Sequence, residues 1–114
     1  GTGSASRDYL YVKDAARAIL LASELHESTE PLNLGNNREI TIRETAETIA
    51  RIVGFAGELV WDSSRPDGQP RRRVDASRAE RELGWHASTD FEEGLHETVK
   101  WFLANRQEAL TLPA

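Results

Sequence analysis

The chain has 114 residues, 39% of them hydrophobic, with a formal net charge of −5 at pH 7 and no cysteine. This length suits one modest core, so we predict a single domain over residues 1–114. The negative charge argues against nucleic acid or an acidic membrane as a partner, and the lack of cysteine excludes disulfides. No apolar run approaches the roughly 18 residues of a membrane span, so we expect a cytoplasmic protein.

The first part of the chain has the pattern of a strand followed by a helix. Apolar and aromatic residues alternate in RDYLYV (7–12), which predicts a short strand. An apolar stripe predicts a helix over 14–27, with Asp14 as its N-cap. Pro31 ends this helix, and PLNLG (31–35) is predicted as a second brief strand.

The clearest helix signal lies in TIRETAETIARIVG (41–54). Thr41 and Glu44 have the spacing of a capping box, and Gly54 suits the left-handed residue that follows a helix. The next segment, ELVW (58–61), is predicted as a strand.

A turn and two helices are predicted after that strand. Pro-Asp-Gly (66–68) predicts a turn, and Gly84 is expected to end a short helix. Thr89 and Glu92 repeat the capping-box spacing before a last helix over 90–109. Strands interleaved with helices predict a mixed α/β (α+β) domain of two layers with three or four helices.

Two patterns in the sequence resemble functional sites, but neither predicts a site here. Tyr9 and Lys13 have a spacing that is catalytic in some dehydrogenases, where a helix holds the two residues about 6 Å apart. In a strand the same spacing covers about 13 Å, so we interpret the pair as coincidental and predict no catalytic residue. His26, His86 and His96 have no ligand spacing, so no metal site is expected.

Arginine is concentrated between residues 62 and 82, where six arginines accompany five acids. One interpretation is a solvated surface of ion pairs. The other places two or more guanidinium groups around a diphosphate, whose oxygens their planar fork matches. The run at 71–73 does not predict nucleic-acid binding, because the chain is acidic and neither a recognition helix nor stacking aromatics lie nearby.

Three ordered segments resemble the C-terminal part of extended short-chain dehydrogenases/reductases, the NAD-dependent epimerase/dehydratase family that acts on nucleotide sugars. They are SRDYLYVKDAARAILLASE, LNLGNNREITIRETAETIARIVG and VWDSSRPDGQPRRRVDASRAERELGWHASTDFEEGLHETVKWF. Within the third, RPDGQPRRRVDASRAERELGW is most similar to the GDP-L-fucose synthase subfamily.

The resemblance implies a set of substrate-binding residues: Arg7, Tyr9, Arg65, Asp67, Arg71 and Arg72. By this resemblance Arg7 corresponds to an arginine that meets the nucleotide diphosphate, and Tyr9 corresponds to an aromatic position near the same pocket. Arg65 occupies the position of a lysine that serves the GDP moiety, and Asp67 shapes that loop. A further diphosphate-facing arginine is either Arg71 or Arg72, and the sequence leaves this choice open.

Three departures from the family pattern are visible. Lys13 replaces a common acid, and Asn36-Asn37 replaces Thr-Gly or Ser-Gly, although asparagine tolerates positive φ. Arg65 keeps the charge of the usual lysine but not its geometry, so strict preference for GDP is not implied.

The resemblance also implies what the chain does. We expect a nucleotide-sugar-binding domain without its Rossmann half, inactive alone, with no cofactor of its own and with NAD or NADP bound by the full-length parent. The implied reaction is epimerisation, epimerisation-reduction or dehydration of a nucleotide sugar. The alternative is a free-standing binding module derived from such a domain.

A domain separated from its Rossmann half would expose the face that the other half covers. We expect RDYLYV, PLNLG and the first helix to form this face, and the isolated chain to be marginally stable or to self-associate.

Overall fold

The structure, a computed structural model, describes residues 1–111. Within it, four helices, a short fifth helix and three short strands form a mixed α/β domain, which confirms the predicted fold class. The predicted domain range, 1–114, includes residues 112–114, which lie outside the described part. In chain order the elements are β1 (Ser6–Asp8), α1 (Val12–Leu25), β2 (Glu39–Thr41), α2 (Ile42–Ile52), β3 (Arg71–Arg72), α3 (Ser77–Leu83), α4 (Phe91–Ala104) and α5 (Arg106–Thr111).

The strands form one sheet in the order β2-β1-β3. The central strand β1 pairs antiparallel with β2, so that Arg7 lies opposite Ile40. It pairs parallel with β3, so that Arg7 also lies beside Arg72. Because paired residues of neighbouring strands point to the same face, two arginines far apart in the chain become neighbours.

Strand β1 is shorter than predicted, and helix α1 begins earlier. The ladder ends at Asp8, and the helix begins at Val12 with Tyr11 as an N-cap that makes no side-chain capping bond. The prediction of Asp14 as the N-cap is therefore wrong. Asp14 lies in the first helical turn, where a carboxylate also suits the helix dipole.

Asp14 instead joins α1 to the turn that precedes α4. Its side chain is buried and accepts hydrogen bonds from the backbone N–H groups of Ser88 (3.2 Å) and Thr89 (2.9 Å), and from Arg17 (3.2 Å). Burial acts to raise the pKa of Asp14, but the hydrogen bonds from Thr89 and Ser88 together outweigh it and hold that pKa below its usual value. The charged carboxylate is therefore a structural group.

The core lies between α1 and α3. Its buried members are Ala18, Ala79, Leu83 and Trp85. Alanines at the contact let the two helices approach closely, and Trp85 fills the space beside them. Gly84, at φ 61°, ends α3 as predicted and turns the chain so that Trp85 enters this core.

The predicted capping box of α2 is confirmed. The Thr41 hydroxyl accepts from the Glu44 backbone N–H (3.0 Å), and the Glu44 carboxylate accepts from the Thr41 backbone N–H (2.8 Å). Gly54, at φ 67°, follows the end of the helix as predicted.

Replacing Thr41 with alanine is expected to lower the free energy of unfolding by about 1 kcal/mol, because one N-terminal donor of α2 loses its acceptor. Urea unfolding followed by circular dichroism would measure this change. Thr48→Ala, within the same helix and outside the cap, is the matched control, and an equal effect of both substitutions would contradict the role of the cap.

The predictions of two further strands are wrong. PLNLG is not a strand, because Leu32 and Leu34 pack against the core without a ladder partner. ELVW is not a strand either, and Trp61 instead lies against Gly3 and under the Arg43 guanidinium, 4.4 Å from the ring centre.

Helix α4 begins with a different cap from the one predicted. Asp90, not Thr89, is the N-cap, and its side chain accepts from the Glu92 backbone N–H (2.9 Å). Gly94 is buried where α4 meets Tyr11, so a Cβ there would lie 3.3 Å from the Tyr11 ring. The absence of a side chain at Gly94 therefore allows this close contact.

Part of the outer surface of α1 is apolar. Val12, Ile19 and Leu20 are exposed, which agrees with the predicted exposed face for this helix. Leu10 and Leu34, from the two segments predicted to share that face, pack on the core instead. No helix within residues 1–111 is both long enough and apolar enough to cross a membrane.

Candidate functional site

A concave surface of about 320 Å³ lies where β1 and β3 end, and we call it the arginine groove. Parallel strands bring their carboxyl ends to one edge of the sheet, so the residues that end each strand meet there. The groove is lined by Arg7, Asp8, Tyr9, Leu10, Leu34, Gly35, Arg72, Arg73 and Val74.

Backbone carbonyls hold Arg7 in place. Its Nη1 donates to the carbonyl oxygens of Ser6 (2.6 Å) and Gln69 (3.0 Å). A guanidinium has five N–H donors, so this anchoring leaves donors for another acceptor. Neither partner is an acid, and the positive charge of Arg7 has no ion pair among the described residues.

Arg72 extends the positive charge of the groove. It lies beside Arg7 in the parallel register and is exposed. In the described part of the chain its side chain makes no hydrogen bond or ion pair. Two adjacent guanidinium groups without acidic partners favour an anion, above all one with several oxygens.

Arg71 is engaged elsewhere. Its guanidinium makes a bidentate ion pair with Glu39, with Nε 2.7 Å from a carboxylate oxygen. Hydrogen bonds from Arg71, and then one from Ser6, lower the pKa of Glu39. Successive side chains alternate across a strand, so Arg71 and Arg72 point to opposite faces, and of the two only Arg72 lines the groove.

Tyr9 lines both the arginine groove and a second concave surface of about 340 Å³, which we call the aromatic groove. Its ring packs against Phe91, with 5.6 Å between the centroids. The aromatic groove is mostly apolar and also includes Tyr11, Gly94 and Leu95. The two grooves are therefore neighbours that share Tyr9 and Leu10.

The loop residues Arg65 and Asp67 lie outside the arginine groove. Arg65 is largely exposed, and its nearest acid is Asp62 at 3.8 Å. Asp67 accepts hydrogen bonds from the Thr2 hydroxyl (2.6 Å) and the Thr2 backbone N–H (2.5 Å), which lower its pKa. Asp67 thus fixes the loop to the N-terminal segment.

Asp8 and Gly35 form one wall of the groove, and sequence reasoning missed both. One oxygen of Asp8 accepts from the Asn36 backbone N–H (2.8 Å), while the other is buried without a partner among the described residues. A Cβ on Gly35 would lie 2.8 Å from that second oxygen and would also collide with Val74. The adjacent Asn37 has φ 56°, as the asparagine pair suggested.

Tyr9 and Lys13 do not form a helical pair. Tyr9 precedes α1, and Lys13 lies in its first turn, where its ammonium is 5.9 Å from the centre of the Tyr11 ring. Only Lys13 is helical, so the geometry needed for catalysis by this spacing is missing at these residues.

Sequence comparison decides the family. A sequence model described as GDP-mannose 4,6 dehydratase matches residues 1–98. The chain belongs to this family. Its relatives include a probable GDP-L-fucose synthase 1 from Oryza sativa subsp. japonica, 45% identical over 92% of the chain, and the GDP-L-fucose synthase of Escherichia coli K12, 41% identical over 93%.

Solved structures of family relatives have the same fold as this chain. A GDP-L-fucose synthetase from Naegleria fowleri matches 94% of the chain with a TM-score of 0.88 and 35% identity. A UDP-glucose 4-epimerase from Thermotoga maritima, solved with UDP-glucose, matches 93% with a TM-score of 0.84 and 34% identity. The match falls in the C-terminal part of these Rossmann-type enzymes, which confirms the predicted resemblance.

The chain spans about a third of the length of the relatives that it matches. It covers 32% of the rice protein and 36% of the Escherichia coli protein. It covers 33% of the Naegleria chain and 34% of the Thermotoga chain. The chain therefore corresponds to one part of these enzymes.

Proposed function

We propose that this chain is the nucleotide-sugar-binding part of a larger NAD(P)-dependent enzyme, an epimerase/reductase or dehydratase similar to GDP-L-fucose synthase. The observation that carries the proposal is the pairing of Arg7 with Arg72 in one groove, both without acidic partners. Such a pair suits the diphosphate of a nucleotide sugar, because each guanidinium can bind two phosphate oxygens.

The contribution of this part to catalysis would be orientation of the substrate. In such reactions the reacting carbon must lie against the nicotinamide, so a fixed diphosphate brings the sugar to a defined position. The arginine groove has no group that we assign to proton or hydride transfer. By itself the chain would bind and not turn over.

Gly1 and Gly3 do not have the position of a dinucleotide-binding loop. A dinucleotide loop follows a strand and opens a helix, whereas Gly1 and Gly3 precede β1, and Gly3 is closed off by the Trp61 ring. We therefore propose that NAD or NADP binds in the part of the relatives that this chain does not match. A cytoplasmic location, suggested by the absence of cysteine, stays a prediction.

Replacing Arg72 with alanine is expected to weaken the binding of GDP and of inorganic pyrophosphate by about tenfold or more, because a charge-assisted bidentate contact is lost. Arg71→Ala is the matched control, since it removes the same charge from the neighbouring residue on the other face. We would follow amide shifts in an NMR titration of both variants and of the unchanged chain.

The choice of ligands separates the outcomes of this titration. Shifts at Arg7 and Arg72 with GDP that exceed those with UDP and dTDP would indicate that this part reads the base. Equal shifts with all nucleotides and pyrophosphate would indicate a diphosphate site alone. Equal weakening by Arg71→Ala and Arg72→Ala, or no shift at millimolar ligand, would contradict the proposed groove.

A further inference from the structure

The register of the parallel strands places two opposite charges one residue beyond the arginine pair. Arg7 lies beside Arg72, so the residues that follow them, Asp8 at the end of β1 and Arg73 just after β3, lie at the same level of the sheet. Both line the arginine groove. A carboxylate is unexpected in a groove that binds anions, because its negative charge repels the ligand.

Asp8 is fixed in this position. Its bond to the Asn36 backbone N–H holds one oxygen, and Gly35 packs close to the other. Since that second oxygen is buried without a partner in residues 1–111, Asp8 has no cation of its own to neutralise it.

Arg73 is exposed and makes no hydrogen bond or ion pair within the described residues. Its charge acts only at longer range, as a minor contribution to the lowered pKa of Asp75, after the hydrogen bonds from Ser77, and to that of Glu39, after the hydrogen bonds from Arg71 and Ser6. Its donors therefore have no partner in the described residues, and Arg73 lines the same groove as Asp8.

We propose that Arg73 is a third ligand-binding cation of the arginine groove, and that it offsets the carboxylate of Asp8. This inference rests on the proposed function and extends it to a residue outside the set implied by the family resemblance. With Arg7 and Arg72 alone, the groove would have one positive charge in excess of Asp8. With Arg73 the excess is two, which matches the two ionised oxygens of a nucleotide-sugar diphosphate.

The charge balance predicts opposite effects of two substitutions. Arg73→Gln is expected to weaken pyrophosphate binding by about tenfold at low ionic strength, with a smaller loss at high salt because screening reduces the contribution of each charge. Asp8→Asn keeps an oxygen for the Asn36 N–H and removes the negative charge, so it is expected to tighten binding by roughly threefold to tenfold. The double variant is expected to bind about as tightly as the unchanged chain.

Calorimetric titration with inorganic pyrophosphate at two ionic strengths would test these expectations, with Arg106→Gln on α5 as a charge control outside the groove. Arg73 is exposed, so its variant should fold even if Asp8→Asn does not. Binding of Arg73→Gln that equals binding of Arg106→Gln would overturn the inference. If Arg72→Ala still weakens binding in that case, the proposed diphosphate groove stands and only the role of Arg73 falls.

Discussion

Replacing Asp14 with alanine is expected to lower the free energy of unfolding by about 3 kcal/mol. The substitution leaves the backbone N–H groups of Ser88 and Thr89 without their acceptor in a site where water has little access. It also disconnects α1 from the turn that orients α4. A loss of this size is a large fraction of the stability of a small domain.

The effect of Asp14 is expected to depend on pH. Its pKa is lower in the folded state than the unfolded value of about 3.9. The carboxylate therefore contributes stability that is fully present above the unfolded pKa and is lost as the pH falls through the folded pKa. The difference between the unchanged chain and Asp14→Ala should be constant near neutral pH and should decrease below about pH 4.

Urea unfolding between pH 3 and pH 7 would measure both effects. Glu24→Ala is the control, because Glu24 is an exposed acid on the same helix. Equal losses for Asp14→Ala and Glu24→Ala, or a difference that does not decrease in acid, would show that the contacts of Asp14 do not stabilise the fold.

Replacing Gly35 with alanine is expected to abolish most pyrophosphate binding, with an affinity at least about tenfold lower. The added Cβ would collide with the Val74 side chain and lie 2.8 Å from Asp8 Oδ2. Both neighbours line the arginine groove, so relieving the collision would displace the wall beside Arg72 and Arg73. Overpacking of this kind also costs about 1–3 kcal/mol of stability.

A control variant can separate the effect of Gly35→Ala on stability from its effect on the shape of the arginine groove. Gly84→Ala places a Cβ in open space at φ 61°, so it should destabilise α3 without changing the groove. Both variants would be titrated with pyrophosphate at a temperature where circular dichroism shows that they are folded. Binding of Gly35→Ala at the affinity of Gly84→Ala would contradict the role assigned to Gly35.

Local chemistry made part of the fold predictable. The capping box of Thr41 and Glu44 and the glycine ends at Gly54 and Gly84 each depend on neighbouring residues only, and the structure confirms them. The cap of α4 was predicted wrongly because Thr89 and Asp90 both suit an N-cap, and in the structure it is the Asp90 side chain that accepts from the Glu92 backbone N–H.

Pairing between distant segments was not predictable. ELVW has the composition of a strand but no partner in the sheet, while the charged Arg71–Arg72 becomes β3 because it reaches β1. For the same reason the sequence left open the choice between Arg71 and Arg72, since only the register reveals which arginine lies beside Arg7. The wall formed by Asp8 and Gly35 likewise depends on segments that meet only after folding.

The side-by-side position of Arg7 and Arg72 also makes the edge of the sheet sensitive to its own ligand. Two like charges on adjacent strands repel each other. Strand β3 has only two residues, so few backbone hydrogen bonds oppose that repulsion. An anion between them would replace repulsion by attraction to both strands, and so act as an ionic cross-link between segments 65 residues apart in the chain. A bound anion would then strengthen the pairing of β1 with β3.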